Sequence, residues 1–334
     1  MTTSTSPEES ATLVRVTSTR TLRVGTRASA LATTQSEWAG EAIAARVAAA
    51  TGSDVEVELV RVTTTGDVLT GSLASMGGTG VFVTALREAL LDGRCDVAVH
   101  SLKDLPTAAA PGLVLGAVPQ REDPRDVLCA RAGAGLADLP AGGRVGTGSP
   151  RRAAQLRRAR PDLEIVDIRG NVDTRLSRIS PGKGDLDAVV LARAGLARLG
   201  RLDAVTEALD AGVMVPAPGQ GALAVEAVDA APDWLLAGLR AFDDAPTRLA
   251  VTAERAMLAR LEVGCSAPVG ALATLAGSQL LLRTSVGEDA EDLGGSFRVG
   301  LPDDDDARLD AAAGLGRAAA EAALARIEAG GPPS

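Results

Sequence analysis

Tyrosine is absent from this 334-residue chain, and three Phe and two Trp are its only aromatics. Single-stranded nucleic acids are held on aromatic stacking platforms, so that class of partner is disfavoured from the outset. Histidine occurs once, as His100, and one imidazole cannot supply the usual ligand set of a catalytic zinc. No G-x-S-x-G elbow is present to support a serine hydrolase. The three cysteines, Cys95, Cys129 and Cys265, are odd in number and scattered, which fits neither a disulfide framework nor metal-ligand spacing. No apolar run reaches the roughly 18 residues that span a bilayer. Met1–Arg20 also lacks the cationic-then-apolar order of a secretory leader. A cytoplasmic protein without membrane or nucleic-acid partners is expected, with residues 1–19 as a disordered extension.

What is present is a hydrophobic content of 46%, enough for a globular chain of two or three domains. The net charge of −9 is uneven. Between Arg144 and Arg201 there are 13 Lys and Arg against 6 Asp and Glu, a local balance of +7. One basic segment in an acidic chain points to an anionic ligand held in one place.

The pattern predicts strands at 21–26, 54–62, 96–99 and 113–118, separated by helices at about 28–50 and 81–91, which is the order of an α/β unit with a mainly parallel sheet. Residues 63–80, rich in glycine, read as a mobile loop. Beyond a linker at 119–124, a second α/β unit is expected from strands at 126–130, 144–146, 164–168 and 187–191 and helices near 149–160, 171–179 and 202–210. Pro216 to Gly221 forms a second linker, followed by a strand at 222–225 that returns to the first unit. Two linkers between two lobes make a hinged cleft. A helix at 247–261, strands near 269–275, 279–286 and 295–299, and a helix at 306–328 make a small α+β region.

Four stretches carry chemistry. Val97 to Pro106 ends a buried strand with Ser101, Lys103 and Asp104, at the edge where α/β sheets present ligand-binding groups. An ordinary solvated strand-to-loop junction is the plainer alternative. In Gly146 to Arg152, Ser149 is an N-cap and Pro150 suits the first helical position. Arg151 and Arg152 then oppose the helix macrodipole unless an anion, phosphate or carboxylate, lies beside them. Arg169 to Arg175 repeats this layout around Gly170, and Arg198 and Arg27, the latter with Ser29 beside it, extend the cationic set. Finally, Cys265 sits among small residues between a helix and a strand, unlike Cys129, which lies in an apolar strand.

Together these stretches resemble the hydroxymethylbilane synthase, or porphobilinogen deaminase, family. The matching motifs are TRASALA at 26–32, GDVL at 66–69, the GGxGVF stretch at 77–82, HSLKDLP at 100–106, REDPRD at 121–126, GTGSPRR at 146–152, RGNVDTR at 169–175, LARAGLARLG at 191–200, PGQGAL at 218–223 and TAERAMLARLEVGC at 252–265, with SAPVG after it. The resemblance implies an α/β fold of two hinged, doubly wound lobes, periplasmic-binding-protein-like, plus a small C-terminal α+β domain. The implied boundaries are 20–119 with 221–240, 124–216, and 244–330. It also implies a transferase that deaminates four porphobilinogen molecules and joins them head to tail into a linear tetrapyrrole. A dipyrromethane cofactor is implied in thioether linkage to Cys265, contacted by Lys103, Ser101, Thr147, Ser149, Arg151, Arg152 and Gly170. Arg27, Ser29, Arg169, Arg175 and Arg198 correspond to substrate-binding positions, and Asp104 to the catalytic carboxylate. A monomer is implied as well. Many members carry lysines where this chain has Thr79 and Thr84, and these two are not assigned to the site. A non-enzymatic binder of small carboxylates would use the same arginines but has no use for Cys265. A nucleic-acid-binding protein is favoured only by the 144–201 segment.

Overall fold

The computed structural model describes residues 19–62, 80–262, 267–287 and 292–330. Strand β1 (Arg20–Thr26), helix α1 (Ala30–Thr51), β2 (Val55–Arg61), α2 (Gly80–Leu91), β3 (Val97–Ser101) and β4 (Leu113–Ala117) open the chain. Next come β5 (Asp126–Ala130), β6 (Arg144–Gly146), α3 (Pro150–Ala159), β7 (Glu164–Val166), α4 (Val172–Ser177), β8 (Ala188–Ala192), α5 (Arg193–Arg198) and β9 (Glu207–Ala208). The chain ends with β10 (Leu223–Val228), α6 (Asp233–Phe242), α7 (Ala245–Arg260), β11 (Val269–Ala276), β12 (Gln279–Val286), β13 (Ser296–Gly300) and α8 (Asp305–Gly330).

Three sheets result, in the orders β2-β1-β3-β10-β4, β7-β6-β8-β5-β9 and β11-β12-β13. In the first, β1 pairs parallel with β2 and β3, whereas β10 lies antiparallel between β3 and β4. The return of β10 follows the expectation for 222–225, and its direction departs from the mainly parallel pairing expected. Side chains alternate across the sheet. Val97 and Val99 face Ile43, Val47 and Leu239, while Ala98 joins Leu86 and Leu90, so helices cover both faces. The second sheet is likewise filled on both faces, by clusters around Leu156 and around Leu176 and Leu196. The third, antiparallel sheet packs against α7 and α8 through Ala253, Met257, Leu280, Leu282 and Ala319.

The helix expected at 202–210 does not form. Leu202–Ala204 is a single 3-10 turn, and Glu207–Ala208 pairs with Val127 and Leu128 as an edge strand. Strand β5 is buried along its length, so its outer edge needs hydrogen-bond partners, and that tertiary demand outweighs local helix preference. The short α5 and the whole of α6 are helices beyond those the sequence pattern predicts. The glycine-rich stretch up to Thr79 lies outside the described residues.

The two linkers run side by side. Glu122 N donates to Gly221 O at 3.2 Å, and Gly221 sits at φ 87 with Glu122 O where a Cβ would project. A side chain there would separate the linkers.

Candidate active site

The first lobe contributes a turn at the carboxyl end of β3. Leu102 is fully buried and its N–H donates to Ala222 O at 3.0 Å, fixing the start of a 3-10 turn, Leu102–Asp104. That turn leaves Lys103 half-buried and Asp104 exposed. Below it, Ser101 Oγ donates to Gln35 Oε1 on α1 at 3.2 Å. From the third unit, Arg255 donates to Leu105 O at 2.9 Å and Pro106 O at 2.7 Å. Asp104 thus stands on a turn braced by the sheet, by α1 and by α7.

His100, one residue inside the strand, points away from this turn. Its Nε2 lies 3.2 Å from Glu226 Oε2, and Arg87 pairs with the same carboxylate at 2.8 Å. Burial works against the charge on Glu226, yet His100 and Arg87 hold its pKa down at about 2. Ser29 is the N-cap of α1, accepting from Ala32 N at 3.3 Å, and Arg27 is half-buried at the end of β1.

The second lobe builds the cationic wall. Thr147 N donates to Val166 O at 3.0 Å, Ser149 N to Thr147 Oγ1 at 3.2 Å, and Ser149 Oγ caps α3 by accepting from Arg152 N at 3.4 Å. Both arginines of the first turn are buried and converge on one carboxylate. Arg151 Nη1 donates to Asp126 Oδ2 at 2.8 Å and to Val215 O at 2.7 Å. Arg152 donates from Nε to Asp126 Oδ1 at 2.9 Å and from Nη1 to Val190 O at 3.0 Å. Burial opposes ionisation of Asp126, but the two guanidinium groups hold its pKa down at about 2. The anion that the helix start demands is therefore supplied first by the protein, and two cations share it.

Arg175 returns its Nε to Gly170 O at 2.8 Å, while exposed Arg169 lies 3.4 Å from Asp167. Burial lowers the pKa of Arg175, and Arg152 and Arg169 lower it further. Gly170 has φ 107, and a Cβ there would meet Thr174 side-chain atoms at 2.8 and 2.9 Å. Gly170→Ala is expected to lower stability by about 1–3 kcal/mol, measured by urea unfolding; an unchanged midpoint would contradict a strained position.

Arg198 reaches the second linker, donating to Gly221 O at 2.7 Å. Gln220 crosses between the lobes, with Nε2 donating to Asp126 Oδ1 at 2.9 Å and Oε1 lying 3.5 Å from Lys103 Nζ. Burial lowers the pKa of Lys103; Asp104 and Asp126 oppose this, while Arg152 and Arg151 add to it. Lys103, Arg151, Arg152 and Arg175 are thus brought together. Ser29 and Arg27 remain at the start of α1, and Cys265 lies outside the described residues. Asp126 and Gln220 were not singled out from sequence. The available signal was a charged residue opening a fully buried strand, and an amide framed by two glycines and two prolines.

Clustered guanidinium and ammonium groups with one internal carboxylate suit a ligand bearing several carboxylates, because such a ligand relieves their mutual repulsion. A dipyrromethane carrying acidic side chains fits this donor set. Two α/β lobes joined by paired linkers, with cationic residues of the second lobe near the carboxylate-bearing turn of the first, make a two-lobed protein suited to an anionic ligand. Residues 22–234 match the family model "porphobilinogen deaminase, dipyromethane cofactor binding domain", and residues 248–324 match "porphobilinogen deaminase, C-terminal domain". The chain belongs to the porphobilinogen deaminase family, a family of transferases of porphyrin biosynthesis.

Among its relatives, the porphobilinogen deaminase of Leifsonia xyli subsp. xyli is 60% identical over 268 residues, 79% of each chain. That of Cutibacterium acnes is 58% identical over 264 residues, covering 76% of this chain and 77% of the relative. Among solved structures, the methionine binding protein MetQ aligns with 66% of this chain and 89% of its own at 12% identity and a TM-score of 0.41.

Proposed function

We propose that this chain is a hydroxymethylbilane synthase: it deaminates four porphobilinogen molecules, joins them head to tail, and releases the linear tetrapyrrole by hydrolysis. The observation that carries the reading is the exposed Asp104, held on a braced turn next to the cationic group of Lys103, Arg151, Arg152 and Arg175. Dipyrromethane, when bound through Cys265, supplies the terminal pyrrole carbon that acts as nucleophile. Lys103, Ser101, Thr147, Ser149, Arg151, Arg152 and Gly170 are the residues proposed to hold it. Arg27, Ser29, Arg169, Arg175 and Arg198 are proposed to take the acetate and propionate groups of the incoming substrate. Guanidinium forks bind such carboxylates in a fixed orientation, which aligns the reacting carbons.

Asp104 faces the positive charge that develops on the substrate as ammonia leaves. Its acid form gives a proton to the departing amine, its carboxylate then stabilises the cation through the pyrrole N–H, and it takes up the proton released from the attacking carbon when the new carbon–carbon bond forms. The chemistry needs no activated serine or histidine, in keeping with the inward placement of His100.

Functional units at 20–119 with 221–240, at 124–216 and at 244–330 are proposed on the same resemblance, together with a monomeric, cytoplasmic protein. No helix among the described residues is long and apolar enough to cross a membrane. The deciding experiment is intact mass under denaturing conditions. The purified chain is expected to carry an adduct of two pyrrole units that is missing from Cys265→Ser, which should also lose turnover. An active preparation of unmodified mass would remove the cofactor assignment.

A further inference from the structure

The second linker carries a side chain that touches both halves of the site. Gln220 is 1% exposed, and its carboxamide has a fixed sense. The nitrogen donates to Asp126 Oδ1 at 2.9 Å and to Pro124 O at 2.8 Å, which leaves the oxygen directed to Lys103 Nζ at 3.5 Å. Its main chain is held as well, since Arg121 Nε donates to Gln220 O at 2.7 Å. Asp126 is in turn the shared carboxylate of Arg151 and Arg152. One amide therefore spans from the turn that bears Asp104 to the arginine pair of the opposite lobe.

We propose that Gln220 is a positioning residue that pins Lys103 against the Asp126–Arg151–Arg152 group, so that the ammonium and the two guanidinium groups act as one cationic site across the two lobes. An amide is the side chain suited to this place. A glutamate would set a second carboxylate against Asp126, and an apolar residue would leave a buried Asp126 oxygen short of a donor. Asp126 also limits the charge of the site. It is the carboxylate that Arg151 and Arg152 share, and with it the group retains a net positive charge that a ligand carboxylate can complete.

The chain has only two lysines, Lys103 and exposed Lys183, which makes a direct test possible. Lysine acetylation by a brief pulse of acetic anhydride, read by peptide mass spectrometry, reports on Lys103 with Lys183 as internal reference. In Gln220→Met, which keeps the shape and burial of the side chain, Lys103 is expected to label about tenfold faster relative to Lys183, as a coupling of ordinary size would give. An unchanged ratio in a folded variant would overturn the proposal. Should that variant not fold, the comparison moves to Gln220→Ala, in which Lys103 is likewise expected to label about tenfold faster relative to Lys183. An unchanged ratio in that folded variant would overturn the proposal.

A kinetic cycle gives the second readout and rests on the porphobilinogen reaction proposed above. Gln220→Met and Lys103→Met should each raise KM about tenfold, with the double variant no worse than Lys103→Met alone. Independent effects, near a hundredfold in the double variant, would overturn the coupling. A purely structural role would reduce the folded fraction without this non-additivity. Labelling needs no substrate, so a protein that labels as expected but does not turn over porphobilinogen would count against the assigned reaction and not against the pin.

Discussion

Asp104→Asn is expected to lower kcat by about 10²- to 10⁴-fold, the usual contribution of a positioned general acid–base group, while ligand binding is retained. The side chain is exposed at the end of β3 on a turn whose backbone is held independently of it, by Leu102 N on Ala222 O and by Arg255 on the carbonyls of Leu105 and Pro106. Exchange for an isosteric amide therefore leaves the turn in place and removes only the negative charge and the proton acceptor. The cationic residues that would hold the ligand carboxylates lie mainly in the second lobe and are unaffected. Steady-state kinetics combined with intact mass checks this. A variant with near-normal turnover would take Asp104 out of catalysis, and loss of the covalent adduct would indicate a role in assembling the cofactor instead.

A second large effect is expected at Asp126. This carboxylate is 0% exposed and receives Arg151, Arg152 and Gln220. Asp126→Asn leaves two buried guanidinium groups without their counter-charge and turns amide hydrogens toward one of them. Breaking a buried pair in this way costs about 3–5 kcal/mol.

The pH dependence has a definite sign. The folded-state pKa is depressed to about 2 from 3.8, so the stabilisation is fully present above the unfolded value and is lost as pH falls through that window toward about 2. Urea unfolding at neutral pH should show the full deficit of the variant, with the curves of variant and wild type converging in acid. A deficit that stayed constant from pH 7 to pH 2 would show that the carboxylate charge is not its source. Glu226, also held at about 2, titrates in the same acid range and is present in both proteins, so it cancels in the comparison.

Local chemistry made much of the fold legible. Ser149 caps its helix with the side-chain oxygen as expected, and the alternating and all-apolar runs became strands close to the expected ranges. Where the structure departs from local preference, the cause is long-range. Glu207 and Ala208 belong to a strand because the outer edge of β5 lies beside them, a fact absent from the surrounding residues. The same division runs through the site. Arginines in the first turn of α3 imply a nearby anion, but its identity as Asp126, 25 residues upstream of Arg151, depends on how β5 enters the second sheet.

By itself the sequence determined the family, the placement of most strands and helices, and the residue types on which the chemistry draws, because these are carried by short motifs and by the two periodicities of regular backbone. Only the tertiary structure decided which charges face one another. It turned His100 inward onto Glu226, left Asp104 in solvent, and brought Gln220 between Lys103, 117 residues away, and Asp126, 94 residues away. Burial and Coulomb energy depend on distance in space, and in this chain the return of β10 to the first sheet sets those distances.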